Sequence, residues 1–500
     1  MGLLPVRTLD DLALEIDRAS DLGDETLLRQ LGRNCVSQLD SATGEDRVRL
    51  LYFLSNTYSA IVSIKRGDSD YVWNWGQSDG VQNILSLRRA IREPSFESIS
   101  PIVACQIQTN LANRLSNLGR PVAANHVWLQ VLNREPYFAK ALASRAQCIS
   151  HFSRLLYDDG HIPLLLKEAR DIFDSALSEN AFWDGDDRET YARNLVEERN
   201  SIADILIRYQ FDEGFDTNQW SLGATEEERS YRHWCLHNRL FINPLNEAYT
   251  DSVAATDVLH LPSHTYRIGD VPRFPSYFNL MKQEYVSARY RLYRTIHNVD
   301  PEFVMRDVFM LEDGEGQELG YYTEDLRSAF RSAYSIFDKI GLFLNDYFQI
   351  GSQPRNVSFR KIWYDQRRGG GLEVRDIFKE RQNWPLRGLF YLSKDLFDSD
   401  FQETAEPDAA NLSVLRNQVE HRFLSFQFIA TGQSTATHQF VSIDEFESKT
   451  LSLLRLAREA LIYLSLAMHR EEESRANDAT RKKMLDIPIM FCPKDSFNRR

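Results

Sequence analysis

The sequence predicts an all-α protein: helical repeats in the N-terminal half, an irregular connector, then a C-terminal four-helix bundle. Three observations predict it. Small and large apolar residues recur through the first two hundred positions at the spacing of paired helices. A proline-punctuated stretch then breaks that pattern. Beyond it, apolar residues return every three or four positions in long runs, the signature of amphipathic helices. Five hundred residues also exceed the roughly 250–300 that one hydrophobic core serves. The expected division is residues 1–210 for the repeats, 211–320 for the connector, 321–475 for the bundle and 476–500 for a loosely held tail.

The chain starts with a helix hairpin, DDLALEIDRASDLGDETLLRQLGRNCV. Next, Leu54, Ser55 and Tyr58 fit one helix and Leu87, Ala90 and Ile91 its mate, separated by a Gly-, Asp- and Trp-rich segment from Gly67 to Gly80. In residues 105–138, Leu111, Ala112, Leu115, Gly119, Ala124, Trp128, Val131 and Pro136 fall at the offsets of a TPR-like repeat. Small residues let two helices approach, large ones fill the gap beside them, and the proline ends the second helix. A degenerate copy follows, with Ala146 and Ile149 on one helix and Ala169, Phe173 and Ala176 on the next.

From about Phe211 to Gly320 the pattern loosens. Pro244, Pro262, Pro272, Pro275 and Pro301 punctuate it, and a helix is expected only near Tyr277 to His297. Leu326, Phe330, Ala333, Phe337, Ile340, Leu344 and Tyr347 then mark one long amphipathic helix. Further helices are expected at Leu386 to Phe397, Ala409 to Phe426 and Asp444 to about Ser474, an order that suits a helical bundle.

Composition bounds the function. An apolar fraction of 43% and a charged fraction of 26% are those of an ordinary globular chain. The apolar runs are too short to span a membrane, and the N-terminus turns acidic at once, unlike a secretory signal. A cytoplasmic protein with no membrane partner is the expectation. Five scattered cysteines without a CxxC pair argue against a disulfide framework or a cysteine-rich zinc site. A net charge of −13 excludes a broad polyanion-coating surface, so any nucleic-acid contact must be concentrated in a local groove. No P-loop, dinucleotide glycine motif or GxSxG is present. His233, Cys235 and His237 offer alternating ligands but lack the Glu of a zincin motif and a fourth ligand nearby, so neither cofactor nor metal is expected.

An Arg-x4-His spacing occurs twice, at Arg232 to His237 (RHWCLH) and at Arg416 to His421 (RNQVEH), so context must decide between them. At about 100° per residue, Leu412, Leu415, Val419 and Phe423 form one apolar stripe with Arg416 at its edge. Asn417 and His421 then share the opposite face. RHWCLH has no comparable bundle around it and runs into NRLFINP, where a helix must stop.

With RNQVEH on the third helix of a predicted four-helix bundle, the C-terminal region resembles the HEPN family, whose motif is Arg, a polar residue often Asn, three variable residues and His. The repeat half, the connector NPLNEAYTDSVAATDVLHLP, and then FRKIWYD and RGLFYLSKDLF resemble one bacterial HEPN subgroup over most of the chain. The resemblance implies a metal-independent endoribonuclease, in a toxin, antiviral or RNA-processing role, that acts as a homodimer with a composite cleft. The residue types suit that chemistry. His421 is a proton shuttle, Arg416 a permanent bidentate cation for phosphate, and Asn417 a hydrogen-bonding group to orient either. One histidine does not readily serve as both base and acid, which also favours two copies of the motif meeting across a dimer. Some family members carry Tyr two residues after the His, a site of modification; here it is Phe423.

The loop RNVSFRKIWYDQRR interleaves Arg355, Arg360, Lys361, Arg367 and Arg368 with Phe359, Trp363 and Tyr364. Cations hold phosphates and aromatic faces stack on unpaired bases, so Arg355, Arg360, Lys361, Trp363 and Tyr364 are the candidate RNA contacts. Asp338, in the middle of the first bundle helix, offers a pairing with Arg416 or His421, but the favoured expectation is an aspartate that is solvated or paired within its own helix. The repeats are expected to dock a protein partner. The competing reading is a catalytically silent TPR-type scaffold or RNA-binding protein that keeps the bundle for dimerisation.

Overall fold

The computed structural model describes residues 8–184, 188–267, 272–297, 302–311, 316–366, 371–398, 401, 412, 415, 416, 418, 419, 423–427, 435, 437–476 and 484–487. The N-terminal half consists of α1 (Leu9–Asp21), α2 (Glu25–Leu39), α3 (Gly44–Lys65), the short α4 (Ser69–Val72), α5 (Ser78–Arg92), α6 (Pro101–Asn117), α7 (Pro121–Arg134), α8 (Ala139–Ser153), α9 (His161–Leu177) and α10 (Arg188–Arg208). Each long helix packs on its neighbour in sequence, with α3 on α5, α6 on α7 and α8 on α9 as the tightest pairs. The local causes are those read from the sequence. Pro101 and Pro121 open α6 and α7 at positions where a missing N–H costs nothing. Ala112 and Ala124 are fully buried between these helices, with Trp128 and Val131 filling the space beside them.

The C-terminal half is built around α12 (Phe274–Ile296), α13 (Tyr321–Tyr347), α15 (Trp384–Phe397) and α16 (Ile443–Ala476), with α11 (Glu226–His237) and the short α14 (Asp376–Lys379) outside it. α12, the helix expected within the connector, packs along α13 and also touches α16. Leu412, Leu415, Arg416, Gln418 and Val419 are helical, and the first two and Val419 are buried. The helix expected through Phe426 stops earlier. Residues Phe423–Gln427 form a strand, β4, parallel to β5 (His438–Ser442), and Phe423 is three-quarters exposed. It therefore leaves the apolar stripe assigned to it. Two antiparallel pairs complete the strands: β2 (Tyr364–Gln366) with β3 (Leu372–Val374), and β1 (His264–Arg267) with β6 (Met484–Ile487). In the second of these, 484–487 of the expected tail pair with the start of the C-terminal half.

Residues 211–262 are irregular yet not loose. Asn243 and Asn246 are fully buried, and both use their side chains to satisfy backbone groups of the turn around Pro244–Glu247. Glu247 accepts from Asn125 of α7 at 2.9 Å and pairs with Arg458 of α16. One apolar core consequently runs from Val48 through this segment to Met468, with a smaller cluster among α1, α2 and α3. Among the described residues no helix is long and apolar enough to cross a membrane. Cys35, Cys105, Cys148 and Cys235 are buried free thiols.

The repeats meet the bundle backbone to backbone. Gly119, in the turn between α6 and α7, has φ +94°, and a Cβ there would lie 2.2 Å from the Trp384 carbonyl oxygen. A Cβ on Gly388 of α15 would lie 2.0 Å from the Gly119 carbonyl oxygen. Neither backbone has a flexible side chain to yield, so Gly388→Ala is expected to destabilise the protein by about 1–3 kcal/mol. A thermal or urea melt unchanged from wild type would refute this contact.

Candidate functional site

Of the three motif residues, Arg416 is described, whereas Asn417 and His421 lie outside the described residues. The Arg416 side chain is 40% exposed. Its guanidinium carbon stands 5.5 Å from the centre of the Tyr334 ring, a cation–π distance, and Nη2 is 3.9 Å from Asp338 Oδ2. That ion pair is long and part-solvated, so it holds the guanidinium loosely. Of the two readings of Asp338, the pairing with Arg416 is the one seen, on a carboxylate that also keeps solvent exposure.

α13 positions the surroundings. Arg327, Arg331, Tyr334 and Asp338 occur at i, i+4, i+7 and i+11, one face of the helix. Arg331 donates to the Val419 carbonyl at 2.7 Å, tying a helical carbonyl of the motif segment to α13. Arg327 donates to the Leu424 carbonyl at 2.6 Å and lies 4.7 Å from the Phe426 ring centre. Gln418 is buried and donates to Gln439 Oε1 at 2.6 Å, joining the segment to β5. Burial pushes the Tyr334 phenol up, with Asp338 adding to the effect and Arg416 opposing it, so this ring is a neutral platform for the guanidinium. None of Arg327, Arg331 and Tyr334 was singled out from the sequence. The signal for them is their shared spacing along the flank of the apolar stripe.

The basic loop comes to the same side of α13. Gly341 of α13 has no side chain where Ser358 and Phe359 cross it: a Cβ would stand 3.0 Å from the Ser358 carbonyl carbon. The Phe359 amide points at Asp338 Oδ1, 3.4 Å away, while Oδ2 of the same carboxylate faces Arg416. This sharing puts Arg360 next in sequence to Phe359, whose amide meets the same carboxylate that faces Arg416. Arg355, Arg360 and Lys361 are all exposed. Arg367 and Arg368 lie outside the described residues.

The aromatic half of the predicted contact set divides. Trp363 is fully buried, with ring centres of Phe378, Phe390 and Phe359 at 5.1, 5.8 and 5.9 Å and of Trp75 at 6.3 Å. Its faces are covered by the protein, so it is not a stacking surface for a base. Tyr364 is half-buried with its ring 5.9 Å from Phe390. The reason is the junction these rings fill, where the repeat half's Trp75 meets α14 and α15.

In the second Arg-x4-His stretch, Arg232 is paired with Glu228 at 3.0 Å and donates to the Ala255 carbonyl at 3.2 Å. On α11, Cys235 is fully buried while His233 and His237 are exposed, and His237 Nδ1 lies 2.9 Å from the carbonyl of His233. The three side chains do not converge, and among the described residues no group of three His, Cys, Asp or Glu is placed to hold a metal ion.

Comparison with known families bears on the same region. Residues 265–471 match the model of the LA2681-like HEPN family. The chain carries a C-terminal HEPN domain. The HEPN match starts in β1, runs through all four long helices of the C-terminal half and ends within α16, so Arg416 and its α13 neighbours lie inside it. No curated protein and no solved structure matches the chain. HEPN domains are often ribonucleases that bind RNA and dimerise.

Proposed function

We propose that the protein is a metal-independent endoribonuclease that cleaves RNA by attack of a 2'-hydroxyl on the adjacent phosphate, and that it serves as a toxin or antiviral defence effector. The observation that carries this reading is Arg416: a half-exposed guanidinium in the motif stretch of a HEPN domain, oriented by the Tyr334 ring and only loosely paired with Asp338. In the proposed reaction the guanidinium neutralises charge on the phosphorane, where a bidentate cation is most useful. His421 draws the 2'-hydroxyl proton or supplies one to the leaving 5'-oxygen, and Asn417 orients these groups. The RNA strand runs across Arg360, Lys361 and Arg355. A second copy of the chain supplies the second acid–base group, which makes the active species a homodimer through the bundle.

The test is cleavage of single-stranded RNA in EDTA. Purified protein is expected to leave 2',3'-cyclic phosphate ends, and His421→Ala is expected to lose about a hundredfold or more in rate with the oligomeric state unchanged. Arg416→Ala should lose activity comparably. Cleavage that persists in both variants would assign the chemistry elsewhere. Induced expression of wild type is further expected to slow bacterial growth where Arg416→Ala does not.

The scaffold reading has one observation in its favour, the Asp338 carboxylate beside Arg416. If Asp338 silences the arginine, Asp338→Asn will raise RNA cleavage; if it only orients the arginine, the same variant will lower it.

A further inference from the structure

Trp75 belongs to the repeats by sequence and to the bundle by packing. It lies in the turn between α4 and α5, yet its ring, 2% exposed, has the ring centres of Phe390, Phe378 and Trp363 at 5.4, 5.9 and 6.3 Å. The turn is seated on α15 through its backbone. Arg387 donates to the Val72 carbonyl at 2.7 Å, and its guanidinium carbon stands 5.1 Å from the Trp73 ring centre. Tyr391, one helical turn later, donates to the Trp75 carbonyl at 2.9 Å. From the repeat side Gln77, at φ +31°, donates to the same Val72 carbonyl at 2.7 Å and accepts from the buried Arg114 of α6 at 2.9 Å. Asp79, two residues on, pairs with Arg29 of α2 at 3.1 Å and with Lys65 of α3 at 3.0 Å. The segment from Val72 to Asp79 is therefore a strap, fixed to the repeats at one end and to α15 at the other.

What the strap supports is the turn that carries the candidate RNA contacts. In SFRKIW the apolar Phe359, Ile362 and Trp363 are buried while Arg360 and Lys361 between them are exposed, so the placement of the two cations follows from how the buried side chains are seated. Trp363 meets both Trp75 and, at 5.9 Å, Phe359. Phe359 is in turn fixed by the Phe337 ring of α13 at 5.5 Å, by Ser393 of α15, which donates to its carbonyl at 3.0 Å, and by its own amide at Asp338. Protein interiors are packed without slack, so removing the Trp75 indole takes away part of the Trp363 seat and lets the turn move.

We infer that Trp75 is a positioning residue for RNA: from the repeat half it holds the Phe359–Trp363 turn where Arg360 and Lys361 meet the strand. The inference rests on the RNA-binding reading of that turn and not on cleavage. It makes the repeats part of substrate recognition, because a shift of α2 or α3 against the bundle pulls on the strap through Asp79.

Binding of a 2'-O-methyl single-stranded oligonucleotide, which cannot be cut by its own 2'-hydroxyl, tests this with the full chain. Trp75→Leu, assayed where melts show it folded, is expected to weaken binding about tenfold and to lower the slope of log K against log salt by about 1.4, two phosphate contacts on a single strand. Arg360→Ala or Lys361→Ala added to Trp75→Leu should then change Kd by less than about twofold, although each weakens binding on its own. Trp75→Phe, which keeps a ring in the seat, should bind like wild type. If Trp75→Leu does not fold, Tyr391→Phe, which frees the Trp75 carbonyl and leaves no void, should move the same measurements in the same direction. A purely structural role would give a folded Trp75→Leu with wild-type affinity, or a loss that adds in full to that of Arg360→Ala, and either result overturns the inference. Hydrogen exchange supplies a readout without RNA, since the Phe359 amide is bonded to Asp338 and the Lys361 and Ile362 amides to the Ser358 carbonyl. These amides should exchange about tenfold faster in Trp75→Leu, and unchanged exchange also overturns the inference. A wild type that binds the oligonucleotide but cuts no RNA in EDTA would end the cleavage reading and leave the role of Trp75 standing. A wild type that binds no oligonucleotide would end the RNA reading of the turn and this inference with it.

Discussion

Arg120→Ala is expected to cost the protein about 3–5 kcal/mol, the range for breaking a buried ion pair by removing one partner. Arg120 is 3% exposed and stands at the start of α7, where its guanidinium joins Glu459 of α16 through two bonds at 2.8 and 3.0 Å and Asp395 of α15 through a third. Asp395 is in turn held by Arg88 of α5 at 2.7 and 3.0 Å. Four charges from two repeat helices and two bundle helices are thus joined in one buried network. Alanine leaves Asp395 with Arg88 and strips the buried Glu459 of the cation that held both its oxygens. Arg120→Met, which refills the volume, should recover little, because the stranded charge and not the cavity dominates the loss. The pH dependence separates these causes. In the wild type, burial pushes the Asp395 carboxyl up but Arg88 and Arg120 outweigh it and hold it below its ordinary value. A lowered carboxyl stabilises the fold above its unfolded pKa, about 4, and that contribution is lost as pH falls further. In Arg120→Ala the sign reverses, since neutralising a stranded carboxylate relieves it. The deficit in urea melts should therefore shrink between pH 7 and pH 5. A deficit that is constant over that range, or smaller than about 1 kcal/mol, would mean that water reaches this network.

What the sequence made legible follows from what each element buries. α13 and α16 put an apolar residue at every third or fourth position against the core, and their ends were readable to within a few residues. The segment 211–262 was not readable in that way. Its order comes from polar contacts between distant positions, such as Asn125 and Arg458 on Glu247, or Arg289 on Asp257 at 2.7 and 2.8 Å. Such pairings carry no period. Phe423 misled for a related reason. It lies four residues after Val419 and fits the helical stripe, but FLSFQ also fits a strand, and pairing with β5, fixed only in three dimensions, decides between them. The return of 484–487 to β1 is likewise a contact across more than two hundred residues. At the candidate site the motif itself was legible because it is local. The α13 face that receives Arg416 was legible only as a helix, since nothing in the spacing of Arg327, Arg331 and Tyr334 says which neighbour they meet.

The interleaving of basic and aromatic residues in FRKIWYD is the same pattern whether the rings stack on bases or close a core, and Trp363 separates the two readings experimentally. Trp363→Ala is expected to cost about 3–5 kcal/mol, the usual range for removing a buried aromatic ring, and to lower the melting temperature accordingly. The ring fills the junction between Trp75, Phe378 and Phe390, so its loss leaves a void among side chains from the repeat half and the bundle alike. Trp363→Phe should cost much less. Among the described residues the indole Nε1 has no hydrogen-bond partner, so phenylalanine discards no polar contact seen there. With Trp363→Phe folded under assay conditions, RNA affinity should equal that of wild type, whereas Arg360→Ala and Lys361→Ala should each weaken binding and lower the slope of log K against log salt by about 0.7, one phosphate contact on a single strand. A Trp363→Phe variant that melts like wild type yet binds RNA more weakly would put the indole back on the substrate. The covered faces of Trp363 then would have to open when RNA arrives, and the loop would be a moving part of the site and not the rigid edge that its packing against Gly341 and Asp338 describes.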